Sequence, residues 1–282
     1  MKKSGILVLL AALLTTGLQA QISTPAASPL GKVEQRIGLT DVTLEYSRPS
    51  KKGRTIFGDL VPYDATWRTG ANSATKITFS DDVNFGGVDV PKGSYALLSK
   101  PGTKAWTFML YPHNSTNFSS YLESTATPIM VNAQSVIMPK GVNVETLMMG
   151  FDNLTNTTGD YYLLWDNVYV PVTIKTNTDQ AVEASIERVM SGPSSGDYYN
   201  AASYYLNSEK DLNKALTWID KSIAMGNEKF WVLRTKSQIQ AGLGDKRGAI
   251  MTANKSLELA REAKNNDYIK MNEESIAQWK KS

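Results

Sequence analysis

The chain has 282 residues, of which 41% are hydrophobic and 20% charged, so it has the composition of a globular protein of one large or two ordinary domains. It contains no cysteine and one histidine, His113, which excludes disulfide scaffolds, zinc ribbons, iron–sulfur clusters, thiol nucleophiles and multi-histidine metal sites. The net charge of +3 lacks the basic excess typical of a nucleic-acid-binding domain. We therefore expect no metal, no cofactor and no nucleic-acid partner.

The beginning of the chain has the pattern of an export signal. Two lysines precede an apolar run over residues 6–14, and small Ala20 precedes the predicted cut, which leaves Gln21 first in the mature chain. The apolar run is too short for a bilayer of roughly 30 Å, which takes about 20 residues. We predict a signal peptide over 1–20 and a flexible Ser/Thr/Ala/Pro tether over 21–29. We therefore expect the mature protein to be periplasmic or secreted and to have no transmembrane segment.

Beyond the tether, apolar residues alternate as they do in β-strands. Val42, Leu44 and Tyr46 share one predicted strand face, and Gly86-Gly87 predicts a hairpin turn. Further strands are predicted at 77–79, 83–85, 88–90, 95–98, 106–111, 135–138, 145–151, 161–165 and 169–174. Short strands separated by Pro/Gly turns favour an antiparallel β-sandwich over 30–176, with a barrel as the alternative. The polar stretch 111–128 predicts a long loop of the binding or lid type.

Near residue 179 the apolar period becomes helical. Amphipathic faces recur over 182–190, 212–223 and 249–260, and Gly192-Pro193 ends the first of them. Several residues repeat 34 positions apart: Asp211 with Asp245, Ala215 with Ala249, Leu216 with Ile250, and Lys221-Ser222 with Lys255-Ser256. That is the period of tetratricopeptide repeats. The fit is partial, because Asn227 and Arg261 replace an expected proline and Lys236 a usual leucine.

The predicted fold class is therefore α+β multidomain. An N-terminal antiparallel β-sandwich is followed, over 177–282, by an all-α domain of tetratricopeptide-like helical hairpins with a leading and a closing helix as caps. We expect the joint near residues 175–180 to be sensitive to proteases.

A series of short motifs in the first half is similar to a known family. The motifs are Tyr46-Ser47-Arg48-Pro49, Lys52-Gly53-Arg54, Ile56-Phe57-Gly58, Leu60-Val61-Pro62-Tyr63, Trp67-Arg68-Thr69-Gly70-Ala71-Asn72 and Gly93-Ser94-Tyr95. Together they resemble the bacterial domain-of-unknown-function family numbered 2911, over about residues 30–174. The resemblance implies an exported bacterial protein, often with repeat helices after the domain. It implies no activity and supplies no catalytic residues.

The densest polar cluster in the chain lies within those motifs. It offers Arg48, Arg54, Arg68 and Asn72 as polar contacts beside the aromatic rings of Tyr63 and Trp67. Arginine forks bind carboxylates or phosphates, and aromatic rings stack on sugars or flat ligands. We interpret these six residues as a candidate pocket for a small anionic or sugar-like molecule. The alternative is structural: the arginines pair with Asp59, Asp64 or Glu45, and Trp67 belongs to the core.

Catalytic signals are sparse. His113 lies in a polar loop, where it is either a general base or a solvated side chain. There is no Gly-x-Ser-x-Gly elbow, and Asp59 with Asp64 is the nearest candidate for paired-carboxylate chemistry. We leave catalysis open and favour a non-enzymatic ligand- or protein-binding scaffold of the periplasm. The alternative is a hydrolase or carbohydrate-binding enzyme whose site is the Arg/Trp cluster.

A protein partner is expected at the C-terminal helices. Four tyrosines near the start of that half either line a peptide groove or pack between helices: Tyr198, Tyr199, Tyr204 and Tyr205.

Overall fold

The computed structural model describes residues 24–190 and 192–281. The predicted signal peptide and its cleavage point between Ala20 and Gln21 lie outside the described residues. Among the helices that are described, none is long and apolar enough to cross a membrane.

Residues 30–176 form two antiparallel β-sheets. The strands are β1 Leu30–Ile37, β2 Thr40–Ser47, β3 Ala71–Phe79, β4 Val83–Phe85, β5 Val88–Val90, β6 Gly93–Lys100, β7 Ala105–Pro112, β8 Ile129–Gln134, β9 Val136–Ile137, β10 Val144–Asp152, β11 Thr158–Asp166 and β12 Val168–Thr176. One sheet has the order β1-β2-β3-β6-β7-β8, and the other has β10-β11-β12-β4-β5 with β9 also pairing with β12. The predicted antiparallel β architecture is confirmed.

Strand alternation supplies the core between the sheets. Val42, Leu44 and Tyr46 of β2 are all buried on one face, as their spacing predicts. The Tyr46 hydroxyl donates to the backbone O of Met149 at 2.9 Å and accepts from its N at 2.8 Å, which joins β2 to β10 in the opposite sheet. Burial raises the pKa of Tyr46, so the phenol stays protonated.

The Gly86-Gly87 turn also forms as predicted. It joins β4 to β5 directly, with Phe85 paired to Val88 and both glycines at positive φ. A Cβ on Gly86 would lie 2.5 Å from Val131, so this position needs glycine for space as well as conformation.

The stretch 111–128 has more structure than a simple loop. It contains a short helix, α1 Phe118–Leu122, and buries Tyr121 beside Ala96 and Leu98 on the outer face of the first sheet. The segment therefore covers this face of the sheet.

The second half is helical, as predicted. The helices are α2 Thr178–Val189, α3 Ser195–Asn207, α4 Leu212–Ala224, α5 Phe230–Gly242, α6 Lys246–Glu262 and α7 Asn266–Lys281. Positions related by 34 residues make related contacts. Asp211 and Asp245 cap the N-termini of α4 and α6, while Ser222 and Ser256 each donate to a backbone carbonyl at the start of the preceding helix, at 2.7 Å.

The helices join one end of the β part. There, the backbone N of Leu39 in the β1–β2 turn donates to Thr178 Oγ1 at 3.1 Å, and Asn156 in the β10–β11 turn donates to Ser208 at 3.1 Å. Because the strands are antiparallel, the connection from β2 to β3 lies at the opposite end, away from the helices.

Candidate ligand pocket

The connection between β2 and β3, residues 48–70, crosses the free end of the β part. Trp67 and Ser99 exchange two backbone hydrogen bonds of 2.7 and 2.9 Å, which fixes the connection to the first sheet. The N of Lys51 donates to Glu145 O at 2.7 Å, which fixes it to β10 of the second sheet. Ile56 is fully buried and anchors the middle of the connection in the core.

The backbone around this connection is strained. Four non-glycine residues there have positive φ: Lys52, Asp64, Thr69 and Asn72. Thr69 is β-branched, so its φ of 54° costs on the order of 1–3 kcal/mol. Its hydroxyl donates to Ser99 Oγ at 2.9 Å, and its carbonyl accepts from the Thr75 hydroxyl at 2.7 Å. These hydrogen bonds fix the backbone of Thr69, which directly follows Arg68.

A pocket of about 380 Å³ opens beside this segment. Its walls include four of the six predicted residues, namely Arg54, Trp67, Arg68 and Asn72. The remaining lining consists of Ser28, Pro49, Leu60, Val61, Gly70, Ala71 and Trp165. Among the described residues that line it there is no aspartate, glutamate or histidine, so the two guanidinium charges dominate its electrostatics.

Backbone carbonyls hold both arginines. Arg68 donates from Nη1 to Asn72 O at 2.6 Å, and its guanidinium lies 4.7 Å from the centre of the Phe118 ring. Arg54 donates from Nε to Lys51 O at 3.0 Å and from Nη2 to Ser50 O at 2.6 Å. Carbonyl oxygens orient a guanidinium without neutralising its charge.

Among the described residues, the arginines of the cluster do not pair with the carboxylates that a purely structural role predicts for them. In the described part of the chain, Arg48, Arg54 and Arg68 form no ion pair, and Glu45 pairs with Lys76 at 3.1 Å. The cationic character of the pocket is therefore not compensated by those acids.

Trp67 belongs both to the pocket wall and to the core. Its ring is half-buried and stacks on Trp165 with centroids 6.1 Å apart and planes 19° apart. The rings of Phe57 and Trp106 pack at steep angles to it, each with its centroid 6.4 Å from that of Trp67. The indole N–H of Trp67 donates to Gly70 O at 3.0 Å. These contacts and the hydrogen bond fix the orientation of the Trp67 ring.

Two of the six predicted residues lie outside the pocket wall. Arg48 donates from Nε to Leu147 O at 3.1 Å and packs its aliphatic part against Gly31. Tyr63 is 41% exposed, and its ring covers Gly58, where an added Cβ would lie 2.8 Å from the ring. Arg48 therefore joins the two sheets, and Tyr63 supports the bend of the connection at Gly58.

Two lining residues were missed by the sequence interpretation. Trp165 comes from the end of β11 and Ser28 from the tether, and both are distant in sequence from the Arg/Trp cluster. Asn72 donates to the Ser28 carbonyl at 3.2 Å, which brings the tether to the pocket. Only the sheet pairing could have revealed either residue.

The residues considered for catalysis lie elsewhere. The backbone N of His113 donates to Ser94 O at the end of the β part that carries the helices. Asp59 and Asp64 are exposed and do not line the pocket. Within the described ranges, no group of three His, Cys, Asp or Glu side chains is arranged to hold a metal ion.

The family described as "Protein of unknown function (DUF2911)" matches residues 28–174. The chain belongs to this family. The DUF2911 segment contains every residue of the pocket wall and ends just before α2. No curated protein and no solved structure matches the chain.

Proposed function

We propose that the chain is an exported, non-enzymatic binding protein whose β domain binds a small anionic, sugar-like ligand between Arg54 and Arg68. One observation carries the proposal: both guanidinium groups line one pocket, are oriented by carbonyl oxygens and face no lining carboxylate. A guanidinium has five N–H donors, and those that remain can bind a carboxylate, sulfate or phosphate.

The dimensions and the aromatic wall favour an acidic sugar over a bare ion. A volume of about 380 Å³ falls in the range of small-molecule sites, roughly 300–1,000 Å³. Trp67 offers a preformed apolar wall of the kind on which a sugar ring packs. An acidic sugar joins both features, since its ring meets the indole while its carboxylate meets the arginines.

The composition of the wall favours binding over hydrolysis. General acid–base catalysis needs a titratable group within hydrogen-bonding reach of the substrate. The described lining holds none of the usual acids or bases, and the alternative pair Asp59 and Asp64 lies outside it. The hydrolase hypothesis would need catalytic groups that this wall does not provide.

A thermal-shift experiment on the chain from Gln21 onward tests this function. The probe is glucuronate, with glucose as the matched neutral sugar and inorganic sulfate as the sugar-free anion. A ligand at 100 times its dissociation constant adds about 2.7 kcal/mol of stability. We expect glucuronate to stabilise the protein and Arg54→Ala or Arg68→Ala to abolish the effect.

Arg247→Ala is the matched control, because Arg247 is an exposed arginine of α6. It should leave the glucuronate shift unchanged. A glucuronate shift that persists in both Arg54→Ala and Arg68→Ala would exclude this pocket, and equal shifts by glucose would exclude anion recognition.

A second function concerns the helical half. Its contacts repeat with the 34-residue period typical of tetratricopeptide repeats, which serve mainly in protein recognition. We propose that residues 177–282 form a separate scaffold domain for a protein partner, next to a β domain over 30–176. Limited proteolysis should yield two folded fragments, and a single resistant core would contradict the division.

Export and periplasmic location belong to the same proposal. Intact mass and N-terminal sequencing of the full chain expressed in a bacterium should show Gln21 as the first residue. Retention of Ala20 and all preceding residues would refute cleavage.

A further inference from the structure

A second pocket, of about 280 Å³, lies in the helical half between α2 and α4. Tyr198 and the exposed Glu187 contribute to its lining, whose two positive charges therefore exceed its one negative charge. Ile186 and Met190 of α2 and Trp218 of α4 supply its apolar floor, and Lys214 and Lys221 of α4 border it. These five residues define what we call the lysine groove. The groove is separate from the Arg54–Arg68 pocket, which lies at the far end of the β part.

Both lysines of the groove lie over aromatic rings. The ammonium nitrogen of Lys214 is 5.0 Å from the centre of the Trp218 ring, and that of Lys221 is 5.4 Å from the centre of the Tyr198 ring. A cation–π contact positions an ammonium group while leaving its charge available. Among the described residues, neither lysine forms an ion pair with a carboxylate, Glu187 of the same wall included, whereas neighbouring Lys210 pairs with Glu183 at 3.0 Å.

The spacing of the charges indicates an elongated ligand. Lys214 and Lys221 are seven residues apart on one helix, which separates their backbones by about 10 Å. An extended chain covers that distance in about three residues. Trp218 lies between the two lysines along α4, so a complementary ligand has acidic groups on both sides of an apolar one.

The face of α2 that borders the groove is incompletely covered. Ile186 and Met190 are only half-buried, and both also line a larger groove of about 400 Å³ that reaches Leu39. Apolar side chains that remain half-exposed on an amphipathic helix mark a surface able to bury more area. The larger groove offers room for a bound chain to continue past the lysines.

We propose that the lysine groove binds an extended, acidic segment of a partner protein, with an apolar side chain seated on Ile186, Met190 and Trp218. The inference rests on the protein-binding role proposed for the helical half and names its surface and its chemistry. Charge complementarity of this kind accelerates association and makes binding sensitive to salt.

Fluorescence anisotropy on the full mature chain tests the proposal. The probe is a short labelled peptide of glutamates around one leucine, compared with peptides in which glutamine replaces glutamate or serine replaces leucine. Lys214→Gln with Lys221→Gln should weaken binding of the acidic peptide by about five- to tenfold, since each exposed ion pair contributes up to about a factor of five. Ile186→Ser should remove the preference for leucine over serine.

The matched control is Lys246→Gln with Lys280→Gln, which makes the same charge change at two exposed lysines of α6 and α7. It should leave the affinity within twofold of the unmodified protein. Equal weakening by this control, equal binding of the glutamine peptide, or no binding of the acidic peptide would each overturn the proposal. So would binding of anionic lipid vesicles that Lys214→Gln with Lys221→Gln abolishes while the peptide fails to bind.

The two proposed sites can be refuted independently of each other. Arg68→Ala leaves the lysine groove intact and should not change peptide affinity. If glucuronate fails to stabilise the protein while the acidic peptide binds as expected, the β-domain function is refuted and the lysine groove stands. If proteolysis shows one undivided core while the peptide still binds, the domain division is refuted without affecting the groove.

Discussion

Arg68 links the pocket to the covering segment 111–128, and the strength of that link can be measured. Arg68→Ala removes the hydrogen bond to Asn72 O and the cation–π contact with Phe118. At a half-buried position the hydrogen bond contributes about 1 kcal/mol and the cation–π contact about 0.5–1 kcal/mol. The variant should therefore lose about 1.5–2 kcal/mol and remain folded. Its thermal midpoint should fall by about 3–8 °C.

A double-mutant cycle isolates the contact with Phe118. Phe118→Leu removes the aromatic ring and keeps an apolar side chain against Tyr121, so the coupling of Arg68→Ala with Phe118→Leu should be about 0.5–1 kcal/mol. The assay is urea unfolding followed by circular dichroism. Among the described residues, the cation–π contact of Phe118 is with Arg68 and not with Arg54, so Arg54→Ala with Phe118→Leu is the reference pair, whose coupling should be near zero. A vanishing Arg68–Phe118 coupling would refute the link, and a loss above about 4 kcal/mol in Arg68→Ala would make Arg68 a core residue.

Three further predictions concern the helical half and its junction. Asp211→Ala and Asp245→Ala should each lower the free energy of unfolding in urea by about 1 kcal/mol, because each aspartate is the N-cap of a helix. The two losses should add in the double variant, since the caps lie in separate repeats. A loss at one site alone would contradict the repeat. Gly38→Ala should destabilise the junction, because the added Cβ would lie 2.0 Å from Thr178 Oγ1 of α2. Gly87→Ala is the control, since Gly87 also has a positive φ but no atom lies within 4 Å of its added Cβ. Equal thermal midpoints for the two variants would contradict this packing. Burial, with a hydrogen bond to an aspartate, raises the pKa of Tyr204 from 10.0 to about 12, so its contribution to stability is complete below pH 10 and is lost as pH rises through 12. In alkaline titrations followed by circular dichroism, Tyr204→Phe should show a smaller loss of stability than the unmodified protein. Part of the loss remains because burial also raises the pKa of Tyr46 and Tyr161, and an unchanged loss would refute the assignment.

The strong periodic signals predicted the central elements of the fold. The alternation in β2, the Gly86-Gly87 turn and the amphipathic faces of α4 and α6 all appear in the structure as expected. Each depends on local residue order, because burial of one face and a two-residue turn leave a repeating pattern. The resemblance to the DUF2911 family, expected over about residues 30–174, is confirmed over residues 28–174.

What escaped prediction depends on contacts between distant segments. β8 was missed although buried Val131 and Ala133 alternate with exposed Asn132 and Gln134, because so short an alternation is a weak signal. It forms an edge of its sheet with one neighbouring strand. The carbonyl partners of Arg54 and Arg68 were missed because sequence reasoning looks for opposite charges, and a backbone acceptor has no sequence signature. Trp165 reaches the pocket only through the pairing of β11 in the second sheet.

The indole N–H resonances of the six tryptophans provide the most direct test of the Arg54–Arg68 pocket. Trp67, Trp106 and Trp165 lie in the β part, and Trp218, Trp231 and Trp279 lie in the helices, so each half carries its own internal reference. The assay is a two-dimensional ¹H–¹⁵N spectrum of the mature chain titrated with glucuronate, with single Trp→Phe variants to assign the signals.

We expect glucuronate to produce a saturating shift of the Trp67 and Trp165 signals and to leave the signals of the three helical tryptophans unchanged. In the same titration of Arg68→Ala, glucuronate should not shift the Trp67 signal. A Trp67 signal that stays fixed while glucuronate shifts the helical tryptophans would contradict the account and place the anion site in the other half of the chain.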